Sequence, residues 1–263
     1  MPPLVVEGIT DAVFFCGLLR RHLSEVRVNF MDQPGKHRIP ASVTGLQADG
    51  SLLEFDFRNQ DPETGGGRDR IPEAVRALIR DIGVLHLAVA KDLDGNTPDI
   101  VVRSIRDVVL NLLGGPIENV SEEKFRIQNV RLANIPKGQW VTVAVIPMGL
   151  YDDPDLKALG ITRHAMEDYL IKMLLLDESL RPGLPQFRQL LLDLLNVIRG
   201  ESYKVSIDSS KELFQLVKPV VKVAGNRFND TGVINALFDK ANSAILESVV
   251  APVRGQLQQA VAL

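Results

Sequence analysis

The stretch Gly83-Val84-Leu85-His86-Leu87-Ala88-Val89-Ala90, followed at once by Lys91-Asp92-Leu93-Asp94-Gly95-Asn96, decides the fold class. A near-continuous apolar run of this length suits a central strand of a parallel sheet, covered on both faces. His86 sits inside the run and reads as a packed core residue. The abrupt change to Lys-Asp-Leu-Asp-Gly-Asn ends the strand. Thr97 or Pro98 then opens a helix through Leu113, which Gly114-Gly115-Pro116 stops.

Upstream, Pro3 to Val6 is a second buried-strand pattern, ending in Glu7-Gly8. Thr10 or Asp11 caps a helix from about Ala12 to Leu23, and Val26 to Met31 alternates as a strand. Strand, tight turn, helix and strand in so short a span predict a βαβ opening. Residues 32–70 are less regular; Leu52 to Phe57 reads as a strand and Gly65-Gly66-Gly67 as a turn or loop. Ile71 to Asp81 reads as a helix, and Phe125 to Leu132 and Trp140 to Ile146 as strands. Helical spacing then dominates, in Arg163 to Leu176, Pro185 to Arg199 and Ser210 to Lys222. One last helix is expected from Thr231 to about Val250, followed by a loose tail. The expectation is an α/β fold: a Rossmann-like, mostly parallel sheet flanked by helices over residues 1–175, with a helical C-terminal extension over 176–263.

The chain has 263 residues, 45% hydrophobic and 24% charged, enough apolar material for a full core. A formal net charge of -3 excludes a histone-like polycation and an acidic tail protein. Phosphate-bearing partners stay open, because bound divalent cations and a local basic face can hold them. The single cysteine, Cys16, excludes a disulfide framework and a cysteine zinc site, and reads as a buried small hydrophobe. The apolar N-terminal run is broken by Glu7 and Asp11, and no stretch approaches 18 uncharged apolar residues. No signal peptide or membrane span is expected, and a cytoplasmic location is the default.

Ligands of open α/β sheets bind at the carboxyl ends of the parallel strands. Here those ends carry acids: Glu7, with Asp11 four residues on, and Asp92 with Asp94. Carboxylates this close repel unless positive charge lies between them, and a divalent cation is the usual solution. Mg2+ suits oxygen ligands from two or three such acids. Asp is equally favoured in turns and helix caps, so Asp-Leu-Asp-Gly alone does not decide between the two roles.

Together, Leu4-Val5-Val6-Glu7-Gly8-Ile9-Thr10-Asp11 and Val89-Ala90-Lys91-Asp92-Leu93-Asp94 resemble the Toprim domain. That is the topoisomerase–primase fold of type IA and II topoisomerases, DnaG-type primases, recombination-repair proteins and OLD-like nucleases. The Glu–x3–Asp spacing is most similar to the OLD-like nuclease branch. The resemblance implies about four parallel strands, with a glutamate after the first and Asp-x-Asp after the third. It implies Glu7 as acid/base group and Mg2+ (or Mn2+) ligand, Asp92 and Asp94 as ligands, and Asp11 as part of a second metal site. Thr162-Arg163-His164-Ala165-Met166-Glu167-Asp168 resembles a later helix start of the same branch, making Glu167 a further ligand; first-turn acids complementing the helix dipole read equally well there. Lys211 matches a lysine that meets phosphate in this branch, with Lys204, Lys218 and Lys222 competing.

The implied activity is Mg2+-dependent phosphodiester processing of DNA or RNA by a nuclease-like protein. The sequence has no Gly-x4-Gly-Lys-Ser/Thr loop, so the expected partners are a second copy or a separate ATPase. A non-catalytic Toprim-like nucleic-acid or nucleotide-binding module is one alternative. The other is a phosphatase, because Asp92-Leu93-Asp94-Gly95 also resembles the first haloacid-dehalogenase motif, with Asp152-Asp153 as late metal-binding acids. That reading leaves Glu7 and Asp11 without a role. His164 reads as a surface or capping residue, and Lys36, Arg38, Arg68 and Arg70 as loop cations within reach of phosphate.

Overall fold

The computed structural model describes residues 2–31, 39–58, 67–200, 207–221 and 229–261. The chain packs as two compact units. The first comprises Met1–Asp92, Thr97–Pro147 and Pro252–Leu263; the second comprises Leu93–Asn96 and Met148–Ala251. The sequence divides the chain at residue 175, whereas these units part at Pro147, and the second also takes the short turn after Asp92.

The first unit is built on an eight-stranded sheet in the order β2-β3-β4-β1-β5-β8-β7-β6. Its centre is β1 (Pro3–Val5), paired in parallel with β4 (Leu52–Arg58) on one side and β5 (His86–Asp92) on the other. Every residue of β1 is buried, as the apolar run requires. Beyond β5 lies β8 (Trp140–Met148), where Thr142 N–H donates to Leu85 C=O at 2.8 Å. Both arms of the sheet are antiparallel: β2 (Ser24–Met31) with β3 (Ile39–Leu46) and β4, and β6 (Gly114–Asn119) with β7 (Lys124–Asn129) and β8.

Helix α1 (Ile9–His22) packs on β2 and β3. Helices α2 (Ile71–Ala77) and α3 (Pro98–Leu113) pack on each other, α2 also touching β1 and α3 touching β6 and β7. Pro98 at the helix start and Gly114 at φ +72° beyond its end delimit α3, as its sequence anticipates. Cys16 lies in the buried face of α1. Burial pushes its thiol up to about 12, against a smaller opposing effect of Arg20.

The expected βαβ opening is not what forms. β2 is an edge strand, antiparallel to β3 and separated from β1 by β3 and β4. Its residues are exposed or half-buried, so it never needed two covered faces. Strand β3 falls where the sequence reads as irregular, and β6 follows directly on the glycines that stop α3. His86 is exposed rather than packed, because it stands at the open beginning of β5, before the buried residues Leu87–Ala90.

The second unit is mainly helical: α4 (Pro154–Ala158), α5 (Glu167–Leu176), α6 (Phe187–Gly200), α7 (Ser210–Val217) and α8 (Asp230–Lys240). Helix α5 is its centre, burying Tyr169, Leu170, Ile171, Met173 and Leu174 and packing against α4, α7 and α8. The single last helix read from the sequence is two, α8 and α9 (Ser243–Val261), broken where Ala241 leaves helical geometry. The tail is not loose: in the first unit Val253 and Leu257 are buried, and Lys124 Nζ donates to Gln259 C=O at 3.0 Å.

Candidate functional site

The site residues singled out by sequence fall into two groups. Glu7, Asp11 and Asp92 belong to the first unit; Asp94, Glu167 and Lys211 belong to the second.

In the first unit, the parallel register of β1 and β5 sets Leu4 against Ala88 and Val5 against Val89. β1 ends at Val5, so Glu7 follows it by two residues, while Asp92 is the last residue of β5. Both acids therefore stand at the carboxyl ends of adjacent central strands. They are buried: Asp92 is 2% exposed and Glu7 9%. Asp11, also buried, turns back on the start of α1, where its Oδ2 accepts the Gly8 N–H at 2.9 Å. That is a helix-capping bond, which satisfies one of the first-turn donors. The glycine loop returns to the same place. Gly67 N–H donates to Glu7 C=O at 2.7 Å, and its φ of +118° suits glycine. Gly65 and Gly66 lie outside the described residues.

In the second unit, Leu93-Asp94-Gly95-Asn96 forms a tight turn closed by Asn96 N–H on Leu93 C=O at 2.8 Å. Asp94 at φ +47° and Gly95 at φ +87° are both left-handed, as a primed turn demands. Asp94 N–H donates to His164 C=O at 2.8 Å, and Lys211 Nζ stands 3.8 Å from Asp94 Oδ1. Lys211, at the start of α7, is thus the lysine brought to an acid of the motif. Lys218 is engaged by Asp230 at 2.8 Å, and Lys204 and Lys222 lie outside the described residues.

Glu167 is the first residue of α5, and Asp168 the second. His164 does not share a helix with Glu167, because residues 163–166 precede the helix. Nor is it a surface residue: His164 is 3% exposed and Asp168 0%, with Nδ1 and Oδ2 at 2.8 Å. The sequence does not announce this buried pair. The i to i+4 spacing of His and Asp was visible, but nothing in sequence shows that both turn inward.

Asp152 and Asp153 have local roles. Asp153 Oδ1 caps α4 by accepting from Asp155 N–H and Leu156 N–H, and its other oxygen meets Lys172 Nζ at 2.8 Å. Asp152 pairs with Lys157 on the surface. Of the loop cations, Lys36 and Arg38 lie outside the described residues, and Arg70 is exposed beside α2.

Among the described residues, no three His, Cys, Asp or Glu side chains gather where together they could hold a metal ion in a closed cage or an open site. Closed cages are the habit of structural zinc. Mg2+ is commonly held by one or two carboxylates, with waters and substrate phosphates completing the shell. Glu7 and Asp92 are the right donor type, hard oxygens on neighbouring strand ends.

No family model and no curated protein matches the chain. A crystal structure of a hypothetical protein from Pyrococcus horikoshii OT3 is similar over 99% of each chain, with a TM-score of 0.58 and 17% identity. At that identity the likeness shows the fold, an α/β architecture. Among the described residues, no helix is long and apolar enough to cross a membrane.

Proposed function

We propose that the chain is a Mg2+- or Mn2+-dependent phosphodiester-processing protein of Toprim type, nuclease-like and acting on DNA or RNA. The observation that supports this reading is the parallel pairing of β1 with β5, neighbouring strands whose carboxyl ends are followed or closed by the buried acids Glu7 and Asp92. A buried carboxylate is stabilised by a cation brought to it. Glu7 and Asp92 would hold the cation; a part for Asp94 as ligand rests on the resemblance alone. Bound there, it would supply Lewis-acid polarisation of a phosphoryl oxygen. Glu7 is assigned the proton-handling role, and Lys211 a phosphate contact next to Asp94. Asp11 serves first as a cap, and its part in a second metal site with Glu167 rests on the resemblance alone.

The test combines binding and turnover. Titrating Mn2+ into the wild-type chain should give a saturable heat that Asp92→Asn weakens at least tenfold. Supercoiled plasmid and single-stranded RNA, incubated with Mn2+, should be cut by the wild type and spared by Glu7→Gln. Unchanged Mn2+ affinity in Asp92→Asn overturns the metal assignment. Hydrolysis of a phosphate monoester alone, unaffected by Glu7→Gln, replaces this reading with the phosphatase.

A further inference from the structure

A cavity of about 410 Å3 opens within the first unit, and none of the acids singled out above lines it. Its size is that of a small-ligand site, which runs from roughly 300 to 1,000 Å3. Three walls enclose it. Leu18, Leu19, His22 and Leu23 come from the end of α1, at the three- and four-residue steps that share a helix face. Leu23 N–H on Leu19 C=O at 2.9 Å holds that last turn. Arg254, Leu257 and Gln258 repeat the spacing on α9, in the part of that helix that belongs to the first unit. The third wall is the β3–β4 hairpin. Gln47 N–H on Ser51 C=O and Gly50 N–H on Gln47 C=O, both at 2.9 Å, fix the turn that carries Ala48 and Asp49, and Leu53 follows in β4.

The floor is apolar: Leu18, Leu19, Leu53 and Leu257 are each no more than 4% exposed. Water held there finds few hydrogen-bond partners, so an apolar group displaces it readily. One side is cationic. Arg254, half-buried, donates from Nη1 to His22 Nδ1 at 3.4 Å. An arginine only donates, so Nδ1 is the acceptor and the ring proton of His22 sits on Nε2. A guanidinium presents five N–H donors in a planar fork, enough to meet His22 and a carboxylate together. Asp49 stands at the exposed mouth, its Oδ1 accepting Ser51 N–H at 2.9 Å and the Ser51 hydroxyl at 2.6 Å. Like charges repel, so the mouth disfavours a ligand with more than one negative charge.

We propose that this cavity binds a small amphipathic monocarboxylate, its apolar chain on the leucine floor and its carboxylate on Arg254 beside His22. The leucines disfavour a wholly polar ligand, and Asp49 disfavours the double charge of a phosphate monoester. The site shares no residue with the proposed metal centre and stands whether or not that centre binds Mn2+.

Octanoate is the probe, titrated into the full 263-residue chain. It should bind saturably, with amide shifts centred on the α1 end, the β3–β4 hairpin and the Arg254 turn of α9. Octanol, equal in chain but uncharged, should bind at least tenfold more weakly, and octyl phosphate no more tightly than octanoate. Arg254→Met keeps an apolar stem and removes the fork. It should weaken octanoate at least tenfold and leave octanol within about threefold. Octanol equal to octanoate, octyl phosphate tighter than octanoate, or octanoate indifferent to Arg254→Met overturns the carboxylate assignment. Absence of saturable octanoate binding, or shifts centred elsewhere, overturns the site. If Arg254→Met does not fold, the wild-type comparison of octanoate with octanol still decides, together with Leu23→Trp. Leu23 is half-buried on the wall, and the larger ring should fill the cavity and abolish octanoate binding. Unchanged octanoate affinity in Leu23→Trp overturns the site.

Discussion

The turns after β1 and after β5 look alike in sequence, each an apolar run followed by two acids and a glycine within a few residues. In the fold they differ. After β1, Gly8 is extended, the chain runs straight into α1, and the second acid, Asp11, caps the helix by accepting the Gly8 N–H. After β5, the chain makes a left-handed turn in which the second acid, Asp94, itself takes a positive φ. Its support comes from His164, 70 positions away by the difference of the two residue numbers. One second acid stabilises its own turn; the other is stabilised by distant parts of its unit. Acids of the first kind are explained by folding. Acids of the second kind depend on their unit as well as on the preference of Asp-Gly for such a turn.

The most damaging break of this contrast is Gly149→Ala. Gly149 has φ +140°, and a methyl group there would collide with His164. A loss of about 3 kcal/mol is expected, combining backbone strain with overpacking, and chemical denaturation measures it. Next comes Asp11→Ala, which removes the acceptor for Gly8 N–H and should cost about 1 kcal/mol in the same assay. Asp94→Gly should differ in kind: relief of about 1 kcal/mol of strain offsets a comparable backbone entropy cost, so Tm stays nearly constant while Mn2+ binding falls. A Tm drop in Asp94→Gly as large as that of Asp11→Ala would erase the distinction between the two turns. The smallest effect sharpens it from the side of acids with purely structural work. The hydrogen bond from Lys172 holds the Asp155 carboxyl below its ordinary value of 3.8. A depressed folded-state value means the pair stabilises the fold at pH values above that ordinary range, and the contribution fades as pH falls through the lower folded value. The stability gap between wild type and Lys172→Met should therefore be widest near neutrality and close below pH 3.8.

Much of the fold was legible because its centre is apolar and its helices are punctuated. The run before Asp92 could only be a covered strand, and Pro98 and Gly114 mark α3 at both ends. The antiparallel arms were not legible in the same way. β2 and β3 carry half-buried, polar-rich patterns that say strand without saying which neighbour, and pairing direction is a tertiary outcome. At the candidate site, the sequence pointed to each acid but not to its company. Lys211 beside Asp94 is a contact across 117 positions, by subtraction of the residue numbers, that no local spacing encodes. The sequence reads His164 as a surface or capping residue, because a histidine before a helix commonly faces solvent; the fold buries it, with Gly149 passing close by.

The lone thiol also makes the chain its own stopwatch. Cys16 is buried in the first unit, it resists ionisation, and the second unit contains no cysteine. An alkylating reagent can reach it only when the sheet-bearing unit opens. The labelling rate therefore times that event alone, with no added probe and no signal from the helical unit.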